Sequence, residues 1–149
     1  MKIQTVDFNL TMINNIIEID KLSFEKDSWS FDIFFKEYEN KSLFRVLTVD
    51  DNIVGYYISK LIIDEMELIT IAVNPKNRKE GLGSLLIDDL ILYGKTNGFE
   101  KIFLEVRESN IPAKNLYLKK GFKKMYIRKK YYADGENADI MMLECKEVL

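Results

Sequence analysis

Hydrophobic positions along the 149-residue chain change their period several times, and each change marks an expected element. Residues 3–8 read as a first strand, after which Met12, Ile13, Ile16, Ile17 and Leu22 recur at helical spacing. A short second helix follows Ser30, an N-cap candidate, with Phe31, Phe34 and Phe35 supplying its apolar side. Residues 43–49 and 53–63 flank Asp50-Asp51-Asn52, side chains that favour a hairpin turn, and a second turn at Asp64-Glu65 leads into a strand over 66–73. Beyond residue 81 the period lengthens again. Leu82, Leu85, Leu86, Leu90 and Tyr93 form one helical stripe that Asn97-Gly98 stops. A strand over 101–106 puts Ile102, Leu104 and Val106 on one face and Phe103 and Glu105 on the other. Pro112 suits the first turn of a helix that ends at Gly121, and Phe122 opens the next strand. Residues 123–132 and 139–144 read as a final hairpin around the polar loop Ala133-Asp134-Gly135-Glu136-Asn137. Strands paired antiparallel first and interleaved with helices afterwards predict an α/β (α+β) fold. It has a mixed central sheet, an antiparallel N-terminal meander and helices on both faces.

Between the strand that ends Ile71-Ala72-Val73 and the helix that begins near Leu82 lies Asn74-Pro75-Lys76-Asn77-Arg78-Lys79-Glu80-Gly81-Leu82-Gly83-Ser84. The first N–H groups of a helix lack intrahelical partners and sit at the positive end of its dipole, so an anion is favoured there if no Cβ blocks its approach. Gly81 and Gly83 remove that block. A Walker loop would need Gly-Lys-Ser/Thr where Gly83-Ser84-Leu85 stands, and a Rossmann fingerprint would need a third small residue at Leu86 and a place at the chain's first strand. Neither fits, and a pyrophosphate held at a helix start remains.

Composition narrows the chemistry. The length suits one domain, residues 1–149, with one substantial core. The 22 basic and 24 acidic side chains nearly cancel, which excludes the broad basic field that nonspecific nucleic-acid binding uses. Cys145 is alone, so neither an intramolecular disulfide nor a thiolate metal site is expected; it reads as a reduced residue on a C-terminal strand. The chain has no histidine, so acid–base chemistry falls to carboxylate, tyrosine, lysine or water, and no metal is expected. Residues 1–7 lack the apolar stretch of a signal peptide, and no run approaches a membrane span. A cytoplasmic protein with no membrane partner is the expectation.

Glu105 is the carboxylate best placed for general-base work. On a strand of a sheet covered on both faces it would be partly desolvated, which raises a carboxylate toward a useful pKa. The structural alternative is a strand-end glutamate in water or paired with Arg107. Tyr117, one turn beyond Ala113, offers a phenol that can donate a proton where no histidine exists, or else packs in the core beside Leu116. Asn110 is a good N-cap for the helix that starts near Pro112.

Arg78-x-x-Gly81-x-Gly83 after Ile71-Ala72-Val73 resembles the acetyl-CoA loop of the GCN5-related N-acetyltransferases (GNAT superfamily). The stretch from Phe103 through Glu105-Val106-Arg107-Glu108-Ser109-Asn110-Ile111-Pro112-Ala113-Lys114-Asn115-Leu116-Tyr117, closed by Gly121-Phe122, is similar to the ribosomal-protein-alanine group (RimI) within them. So are Ser28-Trp29-Ser30 and Arg128-Lys129-Lys130-Tyr131-Tyr132 followed by Asp139-Ile140-Met141-Met142-Leu143, so the resemblance covers nearly the whole chain. It implies an acetyl-CoA-dependent transfer to a protein N-terminal α-amine, that of the alanine of the eighteenth small-subunit ribosomal protein, by direct attack on the thioester. Glu105 would be the proton acceptor and Tyr117 the proton donor. Backbone N–H groups of Ile71, Ala72 and Val73 would polarise the thioester carbonyl. Arg78, Lys79, Glu80, Gly81, Leu82, Gly83, Ser84 and Asn110 would lie on the cofactor, with Glu80 standing where the family has a neutral or basic residue. Trp29, Tyr131 and Tyr132 would wall the amine entrance, although the family's Pro-Trp-Ser is Ser28-Trp29-Ser30 here. A small-molecule amine or a lysine side chain is the alternative acceptor, and a non-catalytic acyl-CoA-binding module is the alternative class.

Overall fold

In the computed structural model, which describes residues 1–78 and 81–145, the alternating stretches form seven strands among the described residues. They are β1 (Ile3–Asp7), β2 (Leu43–Val49), β3 (Asn52–Ile62), β4 (Glu65–Val73), β5 (Lys101–Arg107), β6 (Lys123–Arg128) and β7 (Ala138–Glu144). The stretches of helical period form α1 (Ile13–Phe24), α2 (Phe31–Glu39), α3 (Leu82–Thr96) and α4 (Ile111–Lys119). Hydrogen bonding orders the strands β1-β2-β3-β4-β5-β7-β6. β1 and β3 run antiparallel to β2, β4 runs parallel to β5, and β7 runs antiparallel to both β5 and β6, so the sheet is mixed. The contacts gather into two compact units that divide β4 and α3 between them: Met1–Lys60 with Thr70–Asp89, and Leu61–Ile69 with Leu90–Leu149.

In the first unit the β2–β3 hairpin closes through Asp50 and Asp51, at φ 49° and 68°, between the register pair Val49 and Asn52. Two left-handed residues give a turn whose twist matches that of the strands, and aspartate tolerates the conformation. The ladder then slips at Leu47/Thr48, leaving Val54 as the extra residue, and the Val54 carbonyl accepts the N–H of Asn74 at 2.7 Å. Successive side chains of a strand point to opposite faces. Tyr56 donates its hydroxyl to Asp20 on α1, whereas Tyr57 donates its own to Asp89 on α3 at 2.6 Å. Helices α1 and α3 therefore cover opposite faces of this part of the sheet. On the α1 face Phe34 of α2 is fully buried, its ring 6.0 Å from Tyr56 and 6.3 Å from Phe44. On the α3 face Arg45, the register partner of Tyr57, grips Asp89 with Nε at 3.0 Å and Nη2 at 3.1 Å.

The second unit is organised by β5. Ile102, Leu104 and Val106 are buried, and Phe103, Glu105 and Arg107 point the other way and are half-buried. Lys114 of α4 reaches Asp139 at 2.8 Å, and Asp139 pairs in register with Val106. A Cβ at Gly94 of α3 would lie 3.3 Å from Ile102. The helical segments of this unit thus share the face of Ile102 and Val106.

The structure departs from the sequence reading at four places. The β3–β4 turn falls at Ile63-Asp64, one residue early, because Glu65 already pairs with Lys101; Ile63 has φ 56° and is 95% exposed. β6 ends at Arg128 instead of running to 132, since Lys130 turns to φ 53° and gives its N–H to Asn137 Oδ1 at 2.9 Å, so Tyr131 and Tyr132 belong to the connection. Ser30 holds the N-cap position of α2 without a side-chain capping bond. Phe31 and Leu22, expected on apolar faces, are exposed, whereas Phe34, Ile13, Ile16 and Ile19 are buried.

A Cβ at Gly55 would fall 2.9 Å from the Ala72 carbonyl oxygen and 3.2 Å from Leu86 Cδ1. Gly55→Ala should therefore cost about 1–3 kcal/mol through overpacking against backbone, read as a lower urea midpoint with an unchanged m-value.

Candidate active site

The glycine loop lies in the first unit. β4 closes with Ile71 and Val73 half-buried and Ala72 buried. Asn74 Oδ1 then accepts the Lys76 N–H at 3.1 Å and shapes the single turn Pro75–Asn77. Arg78 follows in extended backbone, exposed. Lys79 and Glu80 lie outside the described residues. Gly81 sits at φ 74°, a conformation that favours glycine, and a Cβ added there would meet nothing within 4 Å. α3 starts immediately at Leu82, which is buried, with Gly83 and Ser84 half-buried in its first turn. An open, Cβ-free approach to the N-terminus of a 15-residue helix is the geometry that receives an anion.

Glu105 lies in the second unit, and β5 alone fixes its direction. Its register partner on β7 is Ile140, which in turn pairs with Tyr126 on β6. These residues, with Phe103, Glu67 and Arg128, line a cavity of about 280 Å³. The Glu105 side chain remains 25% exposed, so it opens on this cavity and is not sealed in a covered sheet. Its cationic partner is Arg128, with Nη1 3.2 Å from Oε1, not the Arg107 considered from the sequence. Interaction with the Glu105 carboxylate, followed by burial, raises the Tyr131 pKa. No feature of the sequence marked Arg128 as that partner; its place on β6, two strands from Glu105, becomes visible only through the register.

The connection from 129 to 137 is tied to the ends of β5 and β7. Glu136 accepts the Ser109 N–H at 2.9 Å and Arg107 Nη1 at 3.0 Å, and the Ser109 side chain first, then Arg107 and the Ser109 N–H, lower its pKa. Arg107 stacks over the Tyr132 ring at 4.0 Å, and the Tyr131 and Tyr132 rings meet edge to face at 5.1 Å. Burial first and the Glu105 charge second push the Tyr132 phenol up to about 12. Tyr117, on α4, is buried beside Phe122; burial and then Tyr132 push its phenol up to about 12. Asn110 is the N-cap of α4, its Oδ1 accepting the Ala113 N–H at 3.2 Å.

Trp29 belongs to the first unit and is half-buried, its ring 5.2 Å from that of Phe34. Its backbone N–H donates to Asp20 Oδ2 at 2.7 Å. Sequence reasoning missed Asp20, which is 1% exposed. The signal was present: Asp20 continues the buried stripe of Ile13 and Ile16 at helical spacing, where a charge needs a partner.

A family model described as "Acetyltransferase (GNAT) family" matches residues 10–122. The [ribosomal protein bS18]-alanine N-acetyltransferase of Salmonella typhimurium is 40% identical over 118 residues, covering 77% of this chain and 80% of that one. An N-alpha-acetyltransferase of Sulfurisphaera tokodaii is 33% identical over 147 residues, covering 89% and 87%. Among solved structures, the ribosomal-protein-S18-alanine N-acetyltransferase from Escherichia coli superposes with TM-score 0.92 at 30% identity, over 99% of this chain and 97% of that one.

The raised Tyr117 pKa has a defined pH signature. An unfolded tyrosine ionises near ~10, so the folded chain holds this proton where the unfolded chain has lost it. The resulting stability is complete below pH ~10 and is lost as pH rises to the folded value of about 12. Tyr117→Phe should flatten the fall of Tm between pH 10 and 12 relative to the parent chain, measured by thermal melts across that window.

Proposed function

The chain belongs to the acetyltransferase (GNAT) family, and we propose that it moves acetyl from acetyl-CoA to the N-terminal α-amine of a protein, the alanine of ribosomal protein bS18. The observation that carries this reading is Glu105, a carboxylate held by Arg128 at the wall of a cavity while part of its surface remains free to meet an amine. The names of the relatives support the acceptor. Residues 1–149 act as one domain in this reading, since β4 and α3 each run through both units.

Acetyl-CoA supplies an activated thioester carbonyl. Backbone N–H groups of Ile71, Ala72 and Val73 draw electron density onto its oxygen, and the first turn of α3 with Gly81, Leu82, Gly83 and Ser84 receives the pyrophosphate, with Arg78 preceding it. By sequence, Lys79 adds a second cation to that loop and Glu80 an opposing charge. Asn110 meets the cofactor with its Nδ2 amide, because Oδ1 is engaged as the cap. Glu105 accepts a proton from the ammonium, directly or through water, and the freed nitrogen pair forms the C–N bond. As the C–S bond breaks, Tyr117, protonated at neutral pH, donates to the departing thiolate, and the nitrogen's remaining excess proton passes, directly or through water, to the Tyr117 oxygen, leaving amide and free CoA thiol. No covalent enzyme intermediate forms. Trp29 serves as a wall for the first residue of the acceptor, and Tyr131 and Tyr132 are the further aromatic side chains assigned to acceptor binding. An α-amine with pKa near ~8 presents several hundred times more neutral nucleophile at pH 7 than a lysine near ~10.4, which favours the N-terminus over a side chain.

Glu105→Gln should lower kcat by roughly 10² to 10⁴ with acetyl-CoA affinity unchanged, the effect of a positioned proton-transfer group, in stopped assays of CoA release. An alanine-first peptide should exceed the same peptide N-blocked with an internal lysine in kcat/KM. A better lysine peptide, or reaction with polyamines alone, transfers the assignment to those amines. Acetyl-CoA at one hundred times its Kd should stabilise the fold by about 2.7 kcal/mol, seen as a higher Tm. Gly83→Val should lose that shift while remaining folded, and a parent chain whose melting ignores millimolar acetyl-CoA removes the glycine-loop reading.

A further inference from the structure

A carboxylate buried to 1% exposure on the same stripe of α1 as Ile13, Ile16 and Ile19 is costly unless its oxygens are bonded, and an apolar residue would fill the same place more simply. Asp20 uses its two oxygens on two different parts of the first unit. One accepts the Tyr56 hydroxyl from the middle of β3, and the other accepts the Trp29 backbone N–H at 2.7 Å. Burial raises the Asp20 pKa, and both hydrogen bonds act against that rise.

The segment so held has little else to define it. α1 ends at Glu25 with φ 48°, a single turn spans Glu25–Asp27, and Ser28 runs extended before Trp29. Trp29 is half-buried, with one flank on the fully buried Phe34. A ring at the end of a short, irregular connection keeps one position only if its backbone is fixed, and Asp20 is what fixes it.

We propose that Asp20 is a positioning residue for acceptor selection: by fixing the Trp29 backbone to α1 and β3 it sets where the Trp29 ring stands as a wall of the slot that admits the first residue of the acceptor peptide. This rests on the reading of Trp29 as a wall of that slot. Asp20 touches neither reactant, so its loss alters acceptor binding and discrimination more than the chemical step.

Trp29 is the one tryptophan of the sequence, so intrinsic fluorescence reports on it directly. In the parent chain the Trp29 amide should exchange with solvent at least about 100-fold more slowly than an unstructured amide; exchange at the unstructured rate overturns the proposal without any variant. Asp20→Ala should raise acrylamide quenching of Trp29 and the KM for an alanine-first peptide at least about tenfold, the scale of a lost bond to a charged acceptor, with kcat and acetyl-CoA KM within about twofold. It should also narrow the preference for alanine-first over leucine-first peptides. Asp20→Asn keeps one acceptor oxygen and can present its amide to Tyr56, so it should restore quenching and KM to near the parent values. Tyr56→Phe, which spares the Trp29 bond, should leave quenching unchanged. Unaltered quenching and KM in Asp20→Ala, or a loss of Tm alone, overturns the proposal. If the parent chain acetylates no N-terminal peptide, the acceptor reading and the slot fall together, while quenching still decides whether Asp20 holds Trp29.

Discussion

Two neighbouring tyrosines of β3 set the frame of the first unit. Tyr56 and Tyr57 are both fully buried, and because adjacent strand residues face opposite ways, their hydroxyls reach helices on opposite sides of the sheet. Each finds a carboxylate, Asp20 on α1 and Asp89 on α3. Burial drives both phenols far above the ordinary tyrosine range, so they remain donors at any physiological pH. A hydrogen bond to a charged acceptor is directional where apolar packing is not, so the pair fixes the depth and rotation of α1 and α3 about one point on β3. Arg45 completes the α3 side with its bidentate grip on Asp89 and a further contact to Asp7 at 2.8 Å. The start of α3 and the Trp29 segment, the two parts of this unit with functional expectations, are each one helix away from that point.

Much of this was legible in the chain. The period-two pattern of β5 gave both its buried face and the direction of Glu105, because alternation alone fixes which side chains share a face. The left-handed pair at Asp50 and Asp51 and the stop at Gly98 were equally readable, since their conformations restrict the residue types that fit. What escaped were the partners. Asp20 and Asp89 look like ordinary polar positions of amphipathic helices, although Asp20 stands in line with Ile13 and Ile16, and Asp89 with Leu82 and Leu86. Arg128 escaped as the partner of Glu105 because the pairing depends on three-strand register, which no local pattern encodes. The length of β6 was overestimated for a related reason: Tyr131 and Tyr132 have strong strand propensity, but the Lys130–Asn137 bond ends the ladder before them.

Glu105 in the second unit is set differently from Asp20 in the first. Asp20 is enclosed, whereas Glu105 is held in place by Arg128 and still opens on a cavity. Enclosure suits a group whose bonds never change. Partial exposure leaves a carboxylate open to whatever enters from solvent. Tyr131, Tyr132 and Tyr117 are all shifted toward keeping their protons, Tyr131 and Tyr132 in part by the Glu105 carboxylate.

The division of β4 bears on how the chain is made. Residues 65–68 of that strand pair in parallel with 101–104, and β5 in turn pairs with β7 at 138–144. During synthesis from the N-terminus, the first half of β4 leaves the ribosome more than thirty residues before its partner on β5, while the strands of the meander already have theirs. A nascent strand edge with the sequence Met66-Glu67-Leu68 must wait for chain that does not yet exist, the condition in which unpaired edges recruit other chains. The glutamates at 65 and 67 that flank Met66 put charge on that waiting edge, so side chains that line the cavity in the finished protein also guard the unfinished one.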